Sequence, residues 1–168
     1  MELNVERPSY EQARAYIKEN CTLDRKSRKK GIYKVVTPLK VFKKVRLTSL
    51  NKYGDHKSAI ISLLIPSGAL IYAGEGWDFP RNYDMYDSER KMRASEAYVH
   101  SITDIGNAGW GSSFEHAVEV QEAVSNWDSD FKYTVGKNVT PKFPFSKENR
   151  ACRSGIHFFL NPHDAVSY

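Results

Sequence analysis

The residues from Cys152 to Tyr168 read CRSGIHFFLNPHDAVSY, and three of their side chains can do chemistry: the Cys152 thiol and the imidazoles of His157 and His163. Thiolate and imidazole nitrogen are the usual zinc ligands. The spacing here, C-x4-H-x5-H, matches no zinc pattern, so no metal site is expected. Arg150 and Arg153 flank Cys152 and would favour its thiolate. No Asn or Asp motif accompanies it, and the chain has no G-x-S-x-G, so nucleophilic catalysis has no signature.

A second constellation is GNAGWGSS, Gly106 to Ser113. Three glycines can turn sharply and expose backbone N–H groups, and Ser112 and Ser113 can donate to an anion. Ser112 and Glu115 form the S-x-x-E signature of a capping box. A helix starting there would present its positive end to a phosphate. The segment lacks the Gly-Lys-Ser/Thr of a P-loop and is not GxGxxG in register. Glu115 in the first turn would oppose a phosphate.

Charge gives the third signal. The chain has a net charge of +5. Residues 25–50 hold ten Lys or Arg and no acid, whereas acids outnumber bases on both sides of that stretch. A localised basic run suits an anionic partner, because Lys and Arg that neutralise phosphates release counterions. Arg25, Lys26, Arg28, Lys29 and Lys30 are the candidate phosphate contacts. The plain alternative is a solvated face. Residues 74–88, GEGWDFPRNYDMYDS, form a long loop rich in aromatics. Loops of that length usually bind something or are disordered, and disorder is poor in aromatics. Trp77, Tyr83 and Trp110 are the stacking candidates, although such rings can equally pin a loop to the core.

These groups need elements to hold them. Ser9 caps a helix with Gln12 three residues on, and Tyr10, Ala13, Tyr16 and Ile17 form its apolar stripe to about Asn20. A charged linker follows to Gly31. Strands are predicted at Ile32–Val36, Val41–Leu47, Ala59–Ile65, Leu70–Ala73, Ala97–Ile102, Phe131–Val135 and in GIHFFL. AIISLLI, Ala59 to Ile65, reads as a central buried strand. NKYGDH is a turn at Gly54. Ala117, Val120, Val124 and Trp127 share one face at helical spacing, which predicts a helix from about Phe114 to Asn126. The fold expected is α+β: a mainly antiparallel sheet of about six strands with two or three helices. Residues 1–30 would be a helix and basic linker, and 31–168 a single α+β domain. Two cysteines make no disulfide framework. No run approaches the roughly twenty apolar residues of a membrane span, and MELNVERPSY reads as neither signal nor transit peptide. A cytoplasmic protein is expected.

Three segments carry a family likeness: IISLLIPSGALIY, KMRASEAYVHSI and CRSGIHFFLNPHDAVSY, with YTVGKNVTP between the last two. Over residues 32–168 the chain resembles an uncharacterised domain of phages and large DNA viruses, often found beside pentapeptide repeats. Met92 departs from it, standing where that family carries a cysteine. The resemblance implies a viral accessory protein and assigns no activity, cofactor or catalytic residue. More distantly, GIHFFLNPHDAVSY resembles the Gly-Ile-Tyr-Phe strand and later Ser-x-x-Tyr of poly-ADP-ribose polymerase-type ADP-ribosyltransferases. There His157 replaces the tyrosine, IYKVV would be the first nicotinamide-pocket strand, and the catalytic acid has no counterpart. This likeness reaches the fold only. His100-Ser101-Ile102-Thr103 is similar to half of a two-histidine phosphoesterase pattern, but Phe159 stands where the second half needs a hydroxyl.

The leading expectation is a non-enzymatic accessory module. It would bind nucleic acid or a nucleotide through Arg25, Lys26, Arg28, Lys29, Lys30, Trp77, Tyr83, Trp110, Ser112 and His157, without a cofactor or metal. One alternative is an enzyme acting on NAD or a phosphodiester through His100, His157 and Tyr168. The other is a protein–protein inhibitor of a host enzyme. What remains for His157 is whether the face it shares with Phe159 looks into a pocket or into solvent.

Overall fold

A computed structural model describes residues 3, 6–24, 31–74, 91–106, 117–148 and 153–168. All of the candidate ligand-binding residues except His157 lie outside these residues, as do the predicted aromatic loop 74–88 apart from Gly74 and the glycine–serine segment 106–113 apart from Gly106.

The first helix forms as its cap predicts. In α1 (Tyr10–Asn20) the Ser9 hydroxyl accepts from Gln12 N at 3.2 Å, and the Gln12 side chain accepts from Ser9 N at 2.8 Å. Its stripe buries Ala13 and Ile17 in the main core. The chain then enters β1 (Cys21–Leu23), β2 (Ile32–Val35) and, past Thr37-Pro38, the long β3 (Leu39–Leu50). A turn at Asn51–Asp55 leads into β4 (His56–Ile65); there Gly54 takes φ 88° and Asn51 Oδ1 accepts from Tyr53 N at 2.7 Å. The remaining elements are β5 (Leu70–Tyr72), β6 (Met92–Ala94), β7 (Ala97–Gly106), β8 (Val118–Val120), β9 (Glu122–Val124), β10 (Lys132–Thr134), β11 (Asn138–Val139), β12 (Ile156–Phe158) and α2 (Pro162–Ser167).

Two antiparallel sheets result. One has the order β1-β2-β5-β6-β12. The other runs β10-β9-β3-β4-β7-β11, with β8 also on β7. The fold is therefore α+β with two described helices, but richer in strands than the six expected. Sequence reading missed β1, β6, β8, β9 and β11. All five are two or three residues long, too short for an alternating pattern to register.

One expectation is overturned. Where it is described, the segment read as a helix to Asn126 forms the two short strands β8 and β9 and no helix. Val120 sits opposite Ile102, and Val124 opposite both Lys132 and Arg46. β-branched valines suit a pleated surface better than a helix interior. Cross-strand partners far off in sequence decide the matter. Trp127, expected on the helix's apolar face, is 83% exposed.

The main core draws on both sheets: Val41, Val45, Ile61 and Leu63 from one, Tyr33, Ile71, Met92 and Phe158 from the other. Strand alternation sends the other face of β3 and β4 to a second cluster. There Phe42 and Ile60 meet Phe159, Ala165 and Val166. Both faces of β4 are thus covered, and β4 lies between β3 and β7, which is why AIISLLI is almost continuously apolar.

Two features fix the residues around β12. Phe159 and Phe42 exchange backbone hydrogen bonds of 2.8 and 2.7 Å, which ties the end of β12 to β3 and so links the two sheets. At its start, Gly155 comes so close to β6 that a Cβ there would lie 2.9 Å from Arg93 Cβ and 3.2 Å from the Ala94 carbonyl oxygen. Asn161 then caps α2, its Oδ1 accepting from His163 N at 2.8 Å. Arg7 reaches from before α1 to the fully buried Asp164, with Nε donating to Oδ1 at 2.7 Å.

Candidate functional site

The outer edge of β3 is only partly paired. Phe42 bonds Phe159, Arg46 pairs with Val124, and between them no described strand lies alongside. In an antiparallel strand alternate residues point their backbone groups to the same edge. The N–H and C=O of Lys44 therefore face this interval. A cleft of about 620 Å³ opens there.

Its walls come from both sheets and the segments that join them. β3 supplies Lys43 and Lys44. The stretch entering and forming β12 supplies Arg153 to His157, with Phe159 just beyond. Lys91, immediately before β6, stands beside them, and Tyr168 follows α2. Opposite are the turn Ser125–Asp128, Phe131 and Tyr133, and the loop Pro141–Phe143. Hydrogen bonds within the turn hold it: Ser125 N to the Phe131 carbonyl at 2.9 Å, and Phe131 N to the Asp128 carbonyl at 3.1 Å.

The cleft is strongly cationic. Lys43, Lys44, Lys91, Lys142 and Arg153 line it, and Asp128 is the single carboxylate side chain among the described lining residues. Asp128 is already engaged, accepting from Lys142 Nζ at 3.0 Å. That hydrogen bond, with another from Asp130 N, holds its carboxyl below the usual range. Arg153 donates to Glu148 Oε2 at 2.7 Å on the exposed side. Lys44 Nζ donates to the Val166 carbonyl at 3.1 Å, at the C-terminal end of α2. Lys91 is buried; its Nζ donates to Tyr168 Oη at 2.7 Å.

Lys43 differs from the other four. Parity places it on the core face of β3, between Val41 and Val45 and opposite Ile61, all of which belong to the main core. No hydrogen bond or ion pair joins its ammonium to another described residue, and desolvation of the buried ammonium, then the charge of Lys91, lowers its pKa to about 8. Tyr133 is also buried, which raises its phenol pKa and keeps it neutral. At the mouth Trp127 and Phe143 are 83% and 67% exposed.

His157 looks into this cleft. Its neighbours Ile156 and Phe158 are buried in the core, and His157, half-buried between them, lines the cleft wall. Of the residues weighed for an enzyme, Tyr168 shares the cleft with His157, whereas His100 is exposed on β7 and is not among the lining residues. The two strands compared with a nicotinamide pocket, β2 and β12, lie in one sheet but are separated by β5 and β6. Cys21 is buried and its thiol is pushed up to about 12, which leaves it inert at neutral pH.

Sequence reasoning missed Lys43, Lys44, Lys91, Trp127 and Phe143. The acid-free stretch from 25 to 50 does contain Lys43 and Lys44. Their alternation with valines gave a signal: Lys43 falls on the apolar parity of its own strand.

The profile of a family of unknown function, DUF5758, matches residues 23–165. No curated protein matches the chain, and no solved structure does.

Proposed function

The chain belongs to DUF5758, a family of unknown function, and on that premise we propose that it is a non-enzymatic binding module whose cleft takes an anionic ligand of nucleotide size. One observation carries the reading: five cationic side chains and one already paired carboxylate line a single cleft. Like charges gathered this way repel one another until an anion enters. Volume narrows the ligand. About 620 Å³ falls within the range of small-molecule sites and is too small for a folded nucleic acid. The exposed rings of Trp127 and Phe143 at the mouth suit a planar base.

The rest of the proposal extends this reading. The module would serve as an accessory protein in a virus-infected cell, in the host cytoplasm, against a host factor. The basic run at 25–30 would add longer-range attraction for nucleic acid. No described helix is long and apolar enough to cross a membrane.

Calorimetric titration of the full chain with ATP and with inorganic pyrophosphate, at several salt concentrations, tests the cleft. Both should bind, with affinity falling steeply as salt rises. Paired substitution Lys43→Ala and Lys91→Ala should weaken both by at least about tenfold, the loss expected for hydrogen bonds to charged groups. Absence of binding at low salt, or an affinity indifferent to salt and to these lysines, overturns the reading.

A further inference from the structure

We propose that Lys43 is a nucleophilic amine that captures the carbonyl carbon of an aldehyde- or keto-bearing phosphate or carboxylate as an imine within the cleft. This rests on the anion-binding reading above and adds a covalent step to it.

The geometry has three parts. Lys43 projects from the core face of β3 into the cleft, with Val41 and Val45 beside it on that face and Ile61 across from it. Its ammonium has no hydrogen-bond or ion-pair partner among the described residues, unlike Lys44, Lys142 and Arg153. A second ammonium, that of Lys91, acts on it electrostatically and is itself held against the Tyr168 phenol at 2.7 Å. A lysine that is desolvated and set beside another cation is the arrangement that makes an amine nucleophilic near neutral pH. With its pKa near 8, roughly a quarter of Lys43 is neutral at pH 7.5, against about one part in a thousand for an ordinary lysine.

The step balances without a co-reactant. The Lys43 Nζ lone pair adds to the carbonyl carbon, and the C=O π pair moves to oxygen, which takes a proton. Nitrogen loses a proton, the carbinolamine hydroxyl takes another and leaves as water, and C=N forms as an iminium that gives up its remaining N–H proton to leave the imine. Lys91 and Tyr168 supply and recover those protons. Lys44 on β3, Arg153 before β12 and His157 on β12 line the same cleft and hold the anionic end of the molecule. Tyr133 stays a neutral donor, and Asp128 is occupied by Lys142.

Pyridoxal 5′-phosphate is a suitable probe, an aldehyde that carries a phosphate. The full chain is incubated with it at pH 7.5, reduced with borohydride, digested and mapped by mass spectrometry. The parallel reaction uses pyridoxal, which lacks the phosphate. The expected result is labelling at Lys43 at least about tenfold above any other lysine, faster with the phosphate than without it, and suppressed by inorganic pyrophosphate. In Lys43→Arg the dominant adduct disappears. The wild-type peptide map stands by itself if that variant fails to fold. Label spread over many lysines, or concentrated on Lys91, overturns the proposal. If pyrophosphate binds but Lys43 is not labelled, covalent capture is wrong and the anion-binding reading survives. If neither occurs, both are wrong. Labelling of Lys43 that is indifferent to the phosphate and to pyrophosphate removes the anion-binding reading on which the proposal rests.

Discussion

Arg93 and His157 sit directly opposite each other in the β6–β12 pair, one turned to structure and the other to the cleft. Arg93 is fully buried, its guanidinium lying 4.8 Å from the Tyr72 ring and 4.9 Å from the Phe145 ring. It donates to the carbonyls of Ser146, of Ser154 at 3.1 Å and of Glu148 at 2.6 Å. Burial lowers its pKa to about 10, so it stays charged at neutral pH. One side chain thus fastens both ends of the segment leading into the cleft wall at Ser154 and Gly155.

Arg93→Leu should therefore cost more than a packing defect. It removes the donor from three carbonyls, at about 1–3 kcal/mol for each one left unsatisfied. A total near 3 kcal/mol would lower Tm by roughly 6–12 °C for a chain of this size. Arg93→Lys should recover little, because a single ammonium cannot span three carbonyls and stack between two rings. Thermal melts followed by circular dichroism check both variants. A Lys variant as stable as wild type would mean that charge alone suffices.

The contrast between Arg93 and Lys43 shows how much was legible in the sequence. The helix at Ser9 could be read because its capping box is local, and β4 because a run covered on both faces is apolar throughout. The helix predicted to Asn126 failed because Ala117, Val120 and Val124 satisfy a helical period by accident, while their strand partners Ile102 and Arg46 lie elsewhere in the chain. The cleft was illegible for the same reason. Lys43 and Lys91 are far apart in sequence. They meet only because β6 pairs with β12 and Phe159 then bonds Phe42 beside Lys43. No spacing rule encodes a junction between two sheets.

Lys43 also makes a pH-dependent contribution to stability. Its folded pKa, about 8, lies below its unfolded value of 10.5. Between these values the unfolded chain binds more protons, so stability rises with pH across that window. The penalty for the buried ammonium is full below about pH 8 and is relieved as pH climbs towards 10.5. Lys43→Met removes it. The variant should be more stable than wild type at pH 7 by on the order of 3 kcal/mol, and the difference should fall below about 1 kcal/mol by pH 10. Urea melts at pH 7, 8.5 and 10 measure this. A difference that is constant across pH would mean that Lys43 is not desolvated.

Arg7 and Asp164 hold the second cluster together. The Asp164 side chain has no exposure and Arg7 is 43% exposed, so the carboxylate bears the greater desolvation. Arg7→Ala withdraws a cation from a buried carboxylate and should cost roughly 3 kcal/mol. Asp164→Asn keeps an acceptor oxygen and should cost less. The loss should appear first in α2, which covers Phe42 and Ile60. Amide exchange at residues 163–167 should therefore accelerate before that of β4. Uniform acceleration along the chain would show instead that α2 does not open as a local unit.

Trp127 and Phe143 offer the sharpest separation of a nucleotide from a bare anion. Both are more than half exposed, so truncation removes little buried area, and Trp127→Ala and Phe143→Ala should each change stability by less than about 0.5 kcal/mol. Base–aromatic stacking contributes about 1–3 kcal/mol, so each variant should weaken ATP binding between about fivefold and about 150-fold. Pyrophosphate has no base to stack and reaches the same lysines, so its affinity should hold. Loss of both ligands would assign the rings to shaping the cleft. Loss of neither would show that the aromatic mouth plays no part in recognition, leaving charge at Lys43, Lys91 and Arg153 to select the ligand.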